Sequence, residues 1–182
     1  MTIDVTVVAA DERSADRDVD VDVGRWERLA VDVLLDRRAQ GELTLTFVDT
    51  DEIAALNAEY MGKQGPTDVL SFPLDALGDA APEGLLLGDV VVCPAVAAQQ
   101  YGEHAGTLDD ELALLVVHGV LHVLGHDHAE ADEAEEMRAL ELQLLTAHHW
   151  RSDPPDGFRL VHSDDPGDDH GGDPAGDPAD ES

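Results

Sequence analysis

The chain is poor in cysteine, in positive charge and in long apolar runs, and each shortage removes a class of protein. Cys93 is the single cysteine in 182 residues. No internal disulfide can form, which excludes a cystine-stapled secreted fold and fits a reducing cytoplasm. Ten Lys+Arg face 41 Asp+Glu, a formal net charge of −31. That balance opposes any general electrostatic attraction to nucleic acid or to anionic membrane. The longest apolar run, Leu112 to Leu124, is broken by histidines and falls short of the ~20 residues a membrane span needs. At the start there is no basic segment ahead of an apolar stretch, so nothing there reads as a signal peptide. A soluble, cytoplasmic protein is expected. With 43% hydrophobic residues at this length, one domain with a real core is the default.

The acidity is unevenly spread. Ser163 to Ser182 carries eight acids, no Lys or Arg and no large apolar residue, so nothing in it can pack. We divide the chain into a folded domain, 1–150, and an acidic tail, 151–182, expected to be disordered. The 162 residues before Ser163 still hold 33 acids against all ten bases. Within the domain, alternation predicts strands at Ile3 to Val7 and Leu43 to Phe47, and shorter ones at Asp68 to Phe72 and Gly88 to Val92. Asp11 to Asp22 reads as a charged, partly mobile loop. Helical spacing of Trp26, Leu29, Ala30, Val33 and Leu34 predicts a first helix closed by Gly41. A second, capped by Thr50-Asp51-Glu52, presents Ile53, Leu56 and Tyr60 and stops at Gly62. Pro94 opens a short helix ending at Gln100. The most apolar helix, ELALLVVHGVLHVL, is capped by Asp109 or Asp110 and ends at Gly125; being hydrophobic on nearly all sides, it should be central. A last helix spans about Ala131 to Ala147. Whether Trp150 and the Phe158-Leu160-Val161 cluster dock is left open. Helices interspersed with three or four strands give an α+β or α/β domain with one mixed sheet.

Chemistry concentrates in His118-Gly-Val-Leu-His122-Val-Leu-Gly-His126-Asp127-His128. His118 and His122 are four apart on a helix, so both imidazoles project from one face. Gly125 lets the backbone turn and bring His126 or His128 over that face as a third nitrogen ligand. Three neutral imidazoles suit Zn²⁺ and leave its fourth position open, the pattern of a catalytic site. A lone histidine on an apolar helix is ordinarily a satisfied core residue. Four within eleven residues are not explained that way, since each unpartnered buried imidazole costs on the order of 1–3 kcal/mol. The residues between His118 and His122 include no glutamate, so the general base of H-E-x-x-H peptidases is absent. Phosphodiester hydrolysis remains open to such a site.

These residues resemble the YbeY family of bacterial endoribonucleases, the ribosomal RNA maturation factors. The family motif H-G-x-L-H-x-x-G-[YH]-D-H stands at His118 to His128, L-N-x-x-Y-x-x-x-x-x-P-T-D-V-L-S-F-P at Leu56 to Pro73, and L-G-D-[IV]-x-[IV] at Leu87 to Val92. The likeness spans nearly all of residues 1–150. It implies that one Zn²⁺ is held by His118, His122 and His128, with His126 behind them. It also implies a single α+β domain: about four strands in a small mixed sheet, about five helices, and the metal helix at the centre. The implied activity is metal-dependent cleavage of single-stranded RNA, in 16S-type ribosomal RNA 3′-end maturation and ribosome quality control. Ribosomal RNA, ribosomal particles and ribosome-associated proteins are the implied partners, with no DNA and no membrane. Many relatives carry arginine after the Tyr of L-N-x-x-Y; here that position is Met61, which cannot donate to a phosphate. Lys63, the only lysine, lies two residues on and is the candidate catalytic cation, with a solvated loop charge as its plain alternative. Asp127 is the candidate for orienting an imidazole or moving a proton. Asn57 and Asp68 are read first as capping or turn residues, Asp89 as an edge residue, and Cys93 as a small buried apolar one. Two other functions are carried: a metal-dependent hydrolase of small molecules or peptides, and a non-enzymatic ribosome-assembly factor with a structural zinc.

Overall fold

In the computed structural model, residues 4–74 and 86–162 are described. Ile3 and the segment 163–182 of the expected tail lie outside them. The elements are β1 (Val5–Asp11), α1 (Val23–Asp36), β2 (Gly41–Phe47), α2 (Thr50–Leu56), β3 (Val69–Pro73), β4 (Leu86–Val92), α3 (Pro94–Gln100), α4 (Leu108–Val123) and α5 (Ala131–Leu144). α2 and α5 each continue into a wider π-helical turn, Asn57–Met61 and Leu145–Trp150. The four strands form one mixed sheet in the order β1-β2-β4-β3, with β3 antiparallel to β4 and the other pairs parallel. The α+β expectation holds.

Alternation explains which face is covered. Leu43, Leu45 and Phe47 of β2 and Val90 and Val92 of β4 point to one side and are fully buried beneath α1 and α4. Every residue of α4 from Asp110 to Leu121 is buried, so the helix that is apolar all round is the central one. Gly119 lets it lie close to the sheet: a Cβ there would stand 2.5 Å from Val90 Cγ1. Ser71 of β3 donates to the Gly119 carbonyl at 3.1 Å, fixing this turn of α4 on the edge strand. Gly119→Ala is therefore expected to lower stability by about 1–3 kcal/mol despite alanine's better helix propensity, seen as a lower urea midpoint with an unchanged m-value.

Several local expectations are corrected. Thr107, not Asp109 or Asp110, caps α4, its hydroxyl accepting from the Asp110 N–H at 3.1 Å; this leaves the two acids in the first turn, where the helix dipole favours them. α1 ends at Asp36 with Arg38 in the left-handed region, and Gly41 opens β2 instead of closing the helix. α2 follows Asp49, whose carboxylate is taken by the Ser14 and Ala15 N–H groups. Tyr60 is 60% exposed and leans edge-on against Phe72 rather than lying in the core. Nor is the loop after β1 loose: Arg13, 3% exposed, pairs with Asp11 and donates to the carbonyls of Asp16 and Val19.

Residues 151–162, assigned to the tail, lie against the domain. Phe158 packs edge-on against Trp150 with ring centroids 4.7 Å apart, Leu160 adjoins the main core, and the Arg159 N–H reaches the His104 carbonyl. The apolar side chains after Pro155 thus cover part of the surface of the domain.

Candidate metal centre

The last turn of α4 sets the site. Its end is a Schellman turn: the Gly125 N–H bonds the His122 carbonyl and the His126 N–H the Leu121 carbonyl, with Gly125 at φ 95°. This reversal carries the chain back over the helix, and His128 arrives beside His118 and His122. One ligand nitrogen from each of the three lies within 4.8 Å of the others. His118 Nε2 and His122 Nε2 are 3.0 Å apart, close to the ~3.3 Å expected for two nitrogens sharing a tetrahedral zinc. His126 instead spends its backbone on the turn and is not in the cluster.

Behind these histidines is a group that sequence reasoning missed. Glu141 of α5 is wholly buried. Its carboxylate meets His118 Nδ1 at 2.5 Å and His162 Nε2 at 3.0 Å, and the His162 ring stacks on that of His118 at 3.9 Å. Burial alone would raise the Glu141 pKa, but the hydrogen bonds from both histidines prevail and hold it at about 2. An ionised carboxylate only accepts, so both ring nitrogens facing it carry hydrogens. His118, kept neutral by burial, then has its proton on Nδ1 and turns a bare Nε2 lone pair toward His122 and His128. A cation among the three rings satisfies that lone pair, and the donor set of three imidazoles fits zinc. His118, Glu141 and His162 also lie close enough to be considered as ligands; their mutual hydrogen bonds already satisfy them.

One signal for Glu141 was present. Ala134, Met137, Leu144 and Leu145 are the buried stripe of α5 and its extension, and residue 141 falls on that stripe. An acid at a core position asks for a partner. For His162 the only cue was the apolar run preceding it.

The His122 pKa is lowered to about 4 by burial and then by its neighbours His118 and His128. The sign for stability follows from linkage. Between the ordinary 6.5 and about 4, the unfolded chain takes up a proton that the fold refuses. Glu141 acts in the same direction from 4.5 downward. The urea midpoint of metal-free protein is expected to fall steadily from pH 7 to 4, and His122→Ala should flatten the upper part of that decline.

In front of the histidines opens a cavity of about 450 Å³, lined also by Asn57, Met61, Lys63, Thr67 and Ser71. Lys63 and Met61 are thus both brought to the site. Asn57 positions their loop: its carbonyl accepts the Lys63 N–H and its side-chain amide donates to the Gly65 carbonyl. Asp127 is exposed and its Oδ1 accepts the His128 N–H at 2.7 Å. Asp68 is buried outside the cavity, holding the Val69 N–H and Gln100, which also reaches Glu111. Asp89 bonds Thr44 across the sheet. Cys93 is fully buried.

The comparisons with known proteins agree with this geometry. The family described as "Endoribonuclease YbeY" matches residues 11–149. A protein of that name from Acidothermus cellulolyticus is 51% identical over 146 residues, covering 74% of this chain and 87% of its own length. Another, from Salinispora tropica, is 43% identical over 157 residues, covering 81% of this chain and 98% of its own. Among the described residues no helix is long and apolar enough to cross a membrane. With the match running from the end of β1 into the π-helical turn that continues α5 and enclosing all three clustered histidines, the chain belongs to the endoribonuclease YbeY family.

Proposed function

We propose that the protein is a zinc-dependent, single-strand-specific endoribonuclease that matures the 3′ end of 16S-type ribosomal RNA and acts in ribosome quality control in the cytoplasm, with ribosomal particles and their associated proteins as partners. The observation that carries the metal reading is the convergence of His118, His122 and His128 on one point at the floor of an open cavity. Zinc bound there would supply Lewis acidity toward a phosphoryl oxygen and activate water.

The chain's own groups do the rest. Glu141 keeps the His118 proton on Nδ1, so that Nε2 is always presented to the cavity. Lys63, carried by the loop that Asn57 holds, faces the same space and stabilises charge developing on the phosphate. Asp127 fixes His128 through its backbone and offers an exposed carboxylate beside the ligands for proton transfer. Against a purely structural metal stands the openness of the site: a structural zinc is normally closed by a fourth protein ligand, and Cys93 is buried elsewhere. The test is cleavage of an RNA carrying the precursor 3′ end. Lys63→Ala is expected to lower the rate by roughly 10- to 100-fold with metal content unchanged, and Lys63→Arg to restore much of it. Equal rates for Lys63→Ala and wild type would remove Lys63 from the chemistry.

A further inference from the structure

A second cavity, of about 620 Å³, opens between α1 and the end of α5. Arg25, Arg28 and Arg151 line it, with His148, His149 and the indole of Trp26. Three of the ten Lys+Arg of a chain with 41 acids thus meet at one place. Carboxylates to neutralise them are plentiful, and Arg13 shows the usual outcome, a close pair with Asp11. Arg25 makes only a solvent-exposed pair with Asp109 while its guanidinium lies 4.7 Å over the Trp26 ring. Arg28 and Arg151 have no carboxylate partner among the described residues. Two acids, Glu27 and Asp32, share the lining with the three arginines. His148 and His149 are held by Asp36 and Asp110, which fixes the far wall.

Independent of charge, Trp26 is 1% exposed and its Nε1 is the one buried side-chain nitrogen or oxygen among the described residues without a hydrogen-bond partner. An indole N–H can only donate. Arg28 and Arg151, without carboxylate partners, thus meet beside an indole whose buried N–H lacks an acceptor. Guanidinium forks match the paired oxygens of a phosphate group.

We propose that this cavity is a phosphate-binding site, separate from the histidine centre. Asp110, which holds its wall through His149, precedes His118 by roughly 12 Å of helix. Phosphate chemistry is shared by free inorganic phosphate and by the phosphodiester backbone of a polynucleotide, and the proposal stands apart from the assignment of the hydrolytic reaction.

The two tryptophans give a direct readout, because a ¹⁵N spectrum of the full chain shows two indole N–H signals. That of Trp150 is already donated to Asp110 at 2.8 Å and serves as the internal reference. Inorganic phosphate, titrated at constant ionic strength against chloride, is expected to move the Trp26 signal saturably. The same movement should persist in H118A/H122A, which separates this site from the metal centre. Arg28 and Arg151 are exposed, so R28Q/R151Q should fold, and it should weaken the apparent affinity at least tenfold. A second arm uses a 2′-O-methyl oligoribonucleotide, which resists cleavage. Movement with it assigns the ligand as polynucleotide backbone; movement with inorganic phosphate alone assigns free phosphate. No saturable movement with either ligand, or an undiminished response in R28Q/R151Q, overturns the proposal.

Discussion

His122→Ala is expected to abolish metal binding and RNA cleavage together while leaving the fold intact. The His122 side chain is half-buried at the cavity wall and supports no buried partner other than its fellow ligands. Its loss leaves two imidazoles, too few to hold zinc against water and buffer. Metal content should fall from about one ion per chain to near zero, and cleavage by roughly 10³-fold or more, since groups that act as a unit are lost as a unit. His118→Ala should give the same two losses plus a third. It strips Glu141 of its hydrogen bond and leaves a buried charge half-compensated, so its urea midpoint should drop as well. A metal-free His122→Ala protein that cleaves RNA at the wild-type rate would refute the metal mechanism.

The second large effect falls on a residue that touches neither metal nor substrate. In Glu141→Ala the N–H groups of His118 and His162 are left buried without an acceptor. Breaking such a buried pair by removing one partner costs about 3–5 kcal/mol. Glu141→Gln isolates the positioning role from the structural one. Its amide fills the same volume, yet only its oxygen can accept, so one of the two ring N–H groups meets an N–H instead. The preference for a proton on His118 Nδ1 is weakened. Zinc affinity should fall about 10- to 100-fold, the usual cost of losing the carboxylate behind a ligating histidine. Competition titration against a chelating dye measures this directly. Unchanged affinity in Glu141→Gln would show that the carboxylate is only a packing element.

How far the sequence alone reached depended on whether a contact was local. His118, His122 and Gly125 lie on one helix and its terminating turn, where spacing dictates direction, and the turn brings His128 rather than His126 beside the helix pair. Strand and helix order followed from alternation and periodicity for the same reason. Long-range features were out of reach. Glu141 comes from another helix and His162 from a segment read as tail, and both arrive at His118 through tertiary packing. Arg13 was invisible in the same way, because a loop rich in acids gives no sign that one arginine will be buried to organise it.

The net charge of −31 also changes meaning in three dimensions. Part of it is internal: Asp68, Asp110, Glu111 and Glu141 are buried and used as acceptors by Gln100, by His104, His149 and His118, and by Trp150. Four of the ten Lys+Arg line two cavities, Lys63 beside the histidines and three arginines at the far end of α4. A chain so acidic should bind arbitrary RNA weakly at physiological salt.

The central claim is that the three-histidine centre is the hydrolytic site for RNA. Its most direct test is a cleavage time course on a single-stranded RNA spanning the mature 3′ end of 16S-type ribosomal RNA. Protein stripped of metal by chelator is compared with the same protein reloaded with one equivalent of zinc. Cleavage that is absent in the stripped protein, returns on reloading and does not return in His122→Ala is the predicted result. Cleavage that persists in verified metal-free protein, or that reloads equally in His122→Ala, would contradict it.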